Sequence, residues 1–122
     1  MPITYTFDKR ARLIHVMATQ CLTFADYLAL RRSVESDEAI PTGSAVIFDM
    51  RGVTEVAVSG PQIFALAQAR DSVERRASRI AVIVKDPVAF GLTRMYDLAR
   101  GTGPPLRVFT EIDTALHWIL EP

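Results

Sequence analysis

Two nearly uninterrupted apolar runs, separated by an amphipathic segment, constrain the fold of this chain most strongly. The runs are AVIFDM at 45–50 and RIAVIVK at 79–85. Strands without apolar–polar alternation are usually covered on both faces, as parallel strands under helices are. The segment between them, from about Gly60 to Arg75, has apolar residues at helical spacing. A strand–helix–strand unit of this kind predicts an α/β fold with parallel strands at its centre.

Shorter patterns predict the remaining elements of the fold. Strands with alternating character are predicted at 3–7 and 12–18, and the short polar loop between them predicts an antiparallel hairpin. Further segments are a helix at 23–36, a helix from 87 to about 101, an edge strand at 106–110 and a terminal helix whose inward stripe runs from Ile112 to Ile119. The predicted order is β-β-α-β-α-β-α-β-α, a mixed sheet with helices packed on it, in a single domain spanning 1–122.

Capping signals indicate where the helices begin. A hydroxyl residue followed three positions later by an acid or amide has the spacing of a capping box. The pairs with this spacing are Thr23 with Asp26, Ser59 with Gln62, and Thr110 with Asp113. Asp86 is a candidate N-cap because Pro87 follows it, at the position where a helix tolerates proline best.

Composition and charge exclude several classes of protein. The chain is 49% hydrophobic and 23% charged, with 14 basic and 14 acidic side chains. This balance gives no net field for nucleic acid or an anionic membrane, so we expect neither as a partner. No apolar run reaches the roughly 20 residues of a membrane span, and the N-terminus lacks the apolar core of a signal peptide. Because Cys21 is the single cysteine, we expect a cytoplasmic protein without an intramolecular disulfide.

Chemistry-bearing residues give no pattern typical of an enzyme. His15, His117 and Cys21 have no second ligand or base at a useful spacing. No phosphate-binding loop, nucleophile elbow or zinc-protease motif occurs in the sequence. We therefore expect no metal, no cofactor and no catalytic residue, and we interpret the protein as non-enzymatic.

The segment FDMRGVTEVAVSG at 48–60 resembles the strand–loop–Ser-Gly pattern of STAS domains, which are found in sulfate transporters and anti-sigma-factor antagonists. The segments VAFGLTRMYDLAR and LRVFTEIDTALHWIL are similar to small bacterial proteins described as STAS/SEC14-like or SpoIIAA-like. The resemblance implies a SpoIIAA-like fold and a regulatory domain that docks a partner protein near the start of the second helix. By position, Ser59 matches the serine that a kinase phosphorylates in the anti-sigma-factor antagonists. Ala57 and Val58 depart from that pattern, which has an acid and a serine there.

Ser59 therefore has two interpretations. As an N-cap it would accept from the first backbone amides of a helix, which the Gln62 spacing and Pro61 favour. As a phosphosite it would carry about 1.5–2 negative charges, which the positive end of the helix would tolerate. A phosphate there would act by blocking a partner surface. The capping interpretation is favoured.

The sequence predicts two candidate binding sites. Ligands of parallel sheets collect beyond the carboxyl ends of the strands. Residues expected at that edge, as an anion or partner site, are Asp49, Arg51, Ser59, Gly60, Lys85 and Asp86. Side chains that could line an apolar ligand site are Phe90, Met95 and Tyr96. Our leading hypothesis is docking of a partner protein through about 59–64 and the preceding loop; the alternative is a carrier or sensor of a small apolar, lipid or anionic molecule. A homodimer is compatible with both.

Overall fold

The computed structural model describes residues 2–68 and 77–122 and contains one five-stranded sheet. The strands are β1 (Ile3–Asp8), β2 (Leu13–Thr23), β3 (Ala45–Ala57), β4 (Ile80–Ile83) and β5 (Leu106–Phe109). The helices are α1 (Phe24–Glu35), α2 (Gly60–Gln68), α3 (Pro87–Arg100) and α4 (Ile112–Ile119). The element order confirms the predicted α/β class. The part of the predicted second helix beyond residue 68 lies outside the described residues.

The strands are arranged in chain order, β1-β2-β3-β4-β5. β1 and β2 form the predicted antiparallel hairpin, with Ile3 opposite Ala18. β2, β3, β4 and β5 are parallel neighbours. Parallel neighbours require crossover connections, which α1, α2 and α3 supply. The mixed sheet predicted from the two apolar runs is therefore confirmed.

Alternation along the strands divides the core into two faces. On the first, Ile14, Val16 and Val82 pack beneath α1 and α3, and α2 adds Ile63 and Leu66 nearby; we call this the three-helix face. On the second, the sheet side chains Leu13, Ala45, Ile47, Ala81 and Ile83 pack against Ala115 and Ile119 of α4; we call this the α4 face.

Strand β3 is longer than predicted, because the segment expected to be a loop after Asp49 continues as strand to Ala57. Among the described strands, β4 ends opposite Asp49, so beyond this point β3 pairs with β2. The register shifts twice in β2, and Gln20 between the shifts has a positive φ of 60°. A Cβ at Gly52 would lie 2.8 Å from Thr19 Cγ2, so the two strands approach closely at this position. The predicted loop is therefore a twisted two-stranded ribbon.

Local capping confirms the predicted starts of α1 and α3 and corrects that of the last helix. Thr23 and Asp26 form a complete capping box at the start of α1. Asp86 accepts from the amide of Val88 at 2.8 Å, and Pro87 is the first residue of α3. The prediction that Thr110 caps the last helix is wrong, because Glu111 is the N-cap and makes no side-chain cap hydrogen bond. Phe109 still belongs to the sheet through its carbonyl, which accepts from Val84, so the chain turns one residue later than predicted.

Candidate functional site

An apolar cavity of about 140 Å³ lies between the three-helix face of the sheet and the helices above it. Its floor is formed by alternate side chains of the central strands, among them Val46, Phe48, Ile80 and Val82. α1, α2 and α3 supply the walls and rim, including Leu30, Val34, Ile63, Leu66 and Leu92. For scale, an engineered apolar cavity of about 150 Å³ binds benzene. The space is therefore sufficient for a small apolar molecule.

The cavity arises from the residues with which α3 faces the sheet. Ala89 and Thr93 are both buried on this side of the helix, and both are small. The Thr93 hydroxyl donates to the carbonyl of Ala89, one turn earlier, at 2.8 Å. This bond satisfies the hydroxyl within the helix and leaves the side chain's methyl group for the cavity wall. Small side chains here leave space that larger ones would fill.

Arg31 of α1 brings a positive charge to the wall of this cavity. Its side chain is 7% exposed, and Nη2 donates to the hydroxyl of Tyr96 at 3.2 Å. The guanidinium carbon lies 5.0 Å from the ring centroid of Tyr27, and Tyr27 in turn stacks on Phe48 with centroids 5.6 Å apart. Cations over aromatic rings are stabilised by the ring quadrupole. One wall of an otherwise apolar cavity therefore carries hydrogen-bond donors.

Arg31 was missed at the sequence level, although a signal for it exists. Tyr27, Arg31 and Val34 follow the i, i+4, i+7 spacing of a buried helix stripe. Tyr27 and Val34 are the aromatic and aliphatic members of this stripe, and Arg31 lies between them. A charged residue at a core position of a helix is unusual enough to indicate a site.

The three residues predicted to line an apolar site lie in different places in the structure. Tyr96 lies in the wall of the cavity. Phe90 lies in a shallow groove against β5, beside Leu98 and Arg107, and is exposed. Met95 is exposed on the outside of α3, with Cε 3.3 Å from the position of a Cβ built on Gly60. Neither Phe90 nor Met95 contributes to the cavity.

Asp49 and Arg51 form a bidentate ion pair on the α4 face. Arg51 Nε donates to Asp49 Oδ1 at 3.0 Å, Nη2 donates to Oδ2 at 2.8 Å, and the Arg51 amide adds a bond of 3.1 Å to Oδ1. Burial by itself would raise the pKa of Asp49, but the hydrogen bonds from Arg51 outweigh it and hold the pKa below its ordinary value. A bidentate pair of this kind uses the donors that an anionic ligand would need.

The residues predicted to form one anion site lie on different elements and have different hydrogen-bond partners. Ser59 begins α2 on the three-helix face, where its Oγ accepts from the Gln62 amide at 3.3 Å and its amide donates to Gln62 Oε1 at 2.9 Å. Gly60 follows it as the first residue of α2. Lys85 is exposed after β4, and Asp86 caps α3. Because β3 continues for eight residues beyond Asp49, Ser59 is displaced along the ribbon from the Asp49–Arg51 pair.

Other reactive groups of the described chain do not form a centre. Within residues 2–68 and 77–122, no three side chains of His, Cys, Asp or Glu are grouped to hold a metal ion. Partial burial and then the neighbouring Glu55 raise the pKa of the Cys21 thiol. A raised pKa keeps the sulfur protonated, which is the less nucleophilic form.

Comparison with solved structures identifies the fold. An uncharacterized protein of the DUF3478 family from Shewanella loihica PV-4, described as having a SpoIIAA-like fold, superposes with a TM-score of 0.66 at 18% identity, covering 96% of this chain and 93% of that chain. No protein-family model matches the sequence, and no curated protein matches it. In the described ranges, none of the helices has the length and apolarity to cross a lipid bilayer. The chain has a SpoIIAA-like fold.

Proposed function

We propose that this protein is a non-enzymatic binding domain that holds a small apolar molecule, or the apolar end of a larger one, in the cavity beneath its three helices. The observation that carries the proposal is the cavity itself, about 140 Å³ with a wall that is mostly aliphatic and aromatic. Concave apolar sites with a few converging polar groups are the usual form of small-molecule sites. Of the two hypotheses taken from the sequence, the geometry favours the carrier or sensor.

The polar groups of the wall indicate which ligands fit. Arg31 donates to Tyr96, whose hydroxyl has a hydrogen of its own to donate. A ligand with an oxygen acceptor at one end would place that atom toward the Tyr96 hydroxyl and its apolar body over Val82 and Phe48. We infer that the ligand is an amphipathic molecule of about the size of a substituted benzene ring. The single thiol, Cys21, suits a reducing compartment, and we place the protein in the cytoplasm.

A matched pair of tryptophan variants tests the cavity. Leu92 lies in its wall, so Leu92→Trp fills the space, whereas Leu120→Trp makes the same change at an exposed position after α4. Amide chemical shifts are followed by NMR during titration with toluene, hexanol and dodecanol. We expect toluene and hexanol to shift resonances around the cavity in the wild type and in Leu120→Trp, with loss of these shifts in Leu92→Trp. Binding that survives in Leu92→Trp, or a wild type unaffected by the small probes, contradicts the proposal.

A second candidate function is docking of a regulatory partner protein through the start of α2 and the end of β3. The observation that favours it is Phe64, a large apolar side chain that is 57% exposed one turn after the Ser59 cap. Phosphate at Ser59 would lie at the positive end of α2 and would add charge beside this side chain.

Affinity capture with three variants tests this second candidate. Phe64→Glu and Ser59→Glu change the proposed surface, and Ser33→Glu places the same charge at an exposed position of α1. We expect a partner captured by the wild type and by Ser33→Glu to be lost with the other two. Loss with all three, or with none, excludes this surface as the docking site.

A further inference from the structure

The solvent side of α3 carries an apolar stripe that the cavity does not use. Val88, Gly91, Met95 and Leu98 recur at spacings of three, four and three residues, so they lie on one side of the helix; we call them the outer stripe. Leu98 is 76% exposed and Val88 is 61% exposed. The buried residues of the same helix, Ala89, Thr93 and Arg100, lie on its other side. Helices on a protein surface usually turn polar side chains toward water.

Gly91 is the second unusual feature of this stripe. Glycine in the middle of a helix is unfavourable relative to alanine. Among residues 2–68 and 77–122, nothing lies within 4 Å of a Cβ built at Gly91, so packing within this described part does not require glycine there. The residue leaves a notch in the outer stripe, between the exposed side chains of Val88 and Met95. A notch beside large apolar side chains can receive a side chain from another helix.

The spacing of the outer stripe is complementary to itself under a two-fold axis. When two copies of α3 lie antiparallel, with the axis midway between Gly91 and Met95, each Met95 faces the notch at Gly91 of the partner subunit. The same alignment places Val88 against Leu98 of the partner subunit. A parallel alignment would instead set glycine against glycine and leave a gap. Three–four spacing is the pattern with which helices interlock along a seam.

We propose that the outer stripe is a self-association surface on which α3 of a second copy of this chain packs antiparallel. A two-fold contact requires one patch to complement itself, and the outer stripe does so. Met95 of the stripe lies against Gly60 at the start of α2, the helix that also carries the exposed Phe64. The 14 basic and 14 acidic side chains balance, so the chain has no net field to favour an anionic bilayer or a strongly charged partner. This inference is independent of the cavity, which uses the other side of α3.

Sedimentation velocity over a range of concentrations tests the association. We expect the wild type to form a dimer whose dissociation constant rises at least tenfold in Leu98→Glu and is unchanged in Ala29→Glu, an exposed control on α1. Gly91→Ala should affect stability and dimerisation in opposite directions. The melting temperature of the monomer rises because alanine favours the helix more than glycine does. Dimerisation weakens because the added methyl group fills the notch. A wild type that stays monomeric at 200 µM, or a Leu98→Glu variant that dimerises like the wild type, overturns the proposal. A monomer that instead cosediments with phosphatidylcholine vesicles assigns the stripe to a lipid surface and overturns it equally.

Cross-linking tests the antiparallel orientation. Val88→Cys and Leu98→Cys are made separately in a Cys21→Ser background and are oxidised alone or as an equimolar mixture. Antiparallel pairing predicts that the mixture forms a disulfide-linked dimer faster than either variant alone, since residue 88 then faces residue 98 of the partner subunit. Faster linkage in the separate samples would show parallel pairing. No linkage in any sample, under conditions where the wild type sediments as a dimer, would place the contact elsewhere.

Discussion

The two faces of the sheet are built from the same strands but are packed to different degrees. On the α4 face, Ile47, Ala81, Ile83 and Ala115 are completely shielded from solvent. On the three-helix face, three helices cover the sheet and still leave a cavity of about 140 Å³. Protein interiors normally contain few voids larger than a water molecule. The difference shows that the cavity is a local property of one face and not a general looseness of the core.

The placement of small residues explains the difference. On the α4 face, Ala81 of the sheet and Ala115 of the helix belong to one buried cluster, and small side chains allow a helix and a sheet to approach closely. On the three-helix face, Ala89 and Thr93 line the cavity together with Phe48 and Val82. The α4 face is thus closely packed, whereas the three-helix face retains a cavity.

The same enlargement on each face gives the largest expected contrast. Ala115→Leu forces a larger side chain into a filled contact, which should lower the free energy of unfolding by about 1–3 kcal/mol. Ala89→Leu adds the same atoms beside the cavity, so we expect a change within about 1 kcal/mol of the wild type. Urea denaturation of both variants measures the contrast. Equal losses would mean that the cavity does not accept the added side chain.

The Asp49–Arg51 pair tests how strongly the α4 face depends on charge. Arg51→Ala leaves the buried Asp49 carboxylate without the guanidinium hydrogen bonds that it accepts. We expect the free energy of unfolding to fall by about 1–2 kcal/mol. This is the lower part of the range for such groups, because the Arg51 side chain is 37% exposed and partly screened.

The pH dependence of stability provides the control for this pair. The folded-state pKa of Asp49 is held below its ordinary value of 3.8. The ion pair therefore contributes its full stability above pH 3.8, and this contribution is lost as the pH falls through the folded-state pKa. Asp49→Asn removes this contribution. Its unfolding free energy should therefore fall less than that of the wild type on acidification from pH 5 to pH 2. Parallel curves for the two proteins would show that Asp49 does not contribute in this way.

Local signals made the element order and most helix starts predictable. The unalternating run at 45–50 indicated a buried parallel strand, and the hydroxyl at Thr23 with its acid three residues on indicated the cap of α1. These features depend on neighbours in the sequence. Asp49 and Arg51 are also close in the sequence. Because side chains alternate along a strand, both lie on the opposite face from Met50, which is the α4 face, away from Ser59. That separation follows from the length of β3, which pairing with β2 determines.

The cavity could not be predicted in the same way, because it depends on distances between elements. Phe90 and Met95 have the size and apolarity of ligand-lining residues, but the rotation of α3 turns them outward and turns Ala89 and Thr93 inward. The burial of Arg31 could have been predicted from its position in the buried stripe of α1. Its hydrogen bond to Tyr96, 65 residues later, could not have been predicted from the sequence.

Caps on the three-helix face should have a moderate effect. The helices there begin with Thr23, Ser59 and Asp86, each of which accepts a hydrogen bond from a backbone amide of its helix. Ser59→Ala should cost about 0.5–2 kcal/mol and Ser59→Gly only a few tenths, because glycine also suits an N-cap. Thermal or urea unfolding measures both. A loss larger for glycine than for alanine would show that Ser59 acts through something other than capping.

The α4 face offers the smallest but most specific test, because α4 begins at Glu111 without a side-chain cap. Its start is instead held by packing, with Ala115 completely buried and its amide donating to the Glu111 carbonyl at 3.3 Å. A serine at this position could accept from the first-turn amides, so Glu111→Ser should be more stable than Glu111→Ala by about 0.5–1 kcal/mol. The alanine variant is the control, since both changes remove the same carboxylate. If the two unfold alike, packing already fixes the first turn of α4 in a geometry that no side-chain cap improves.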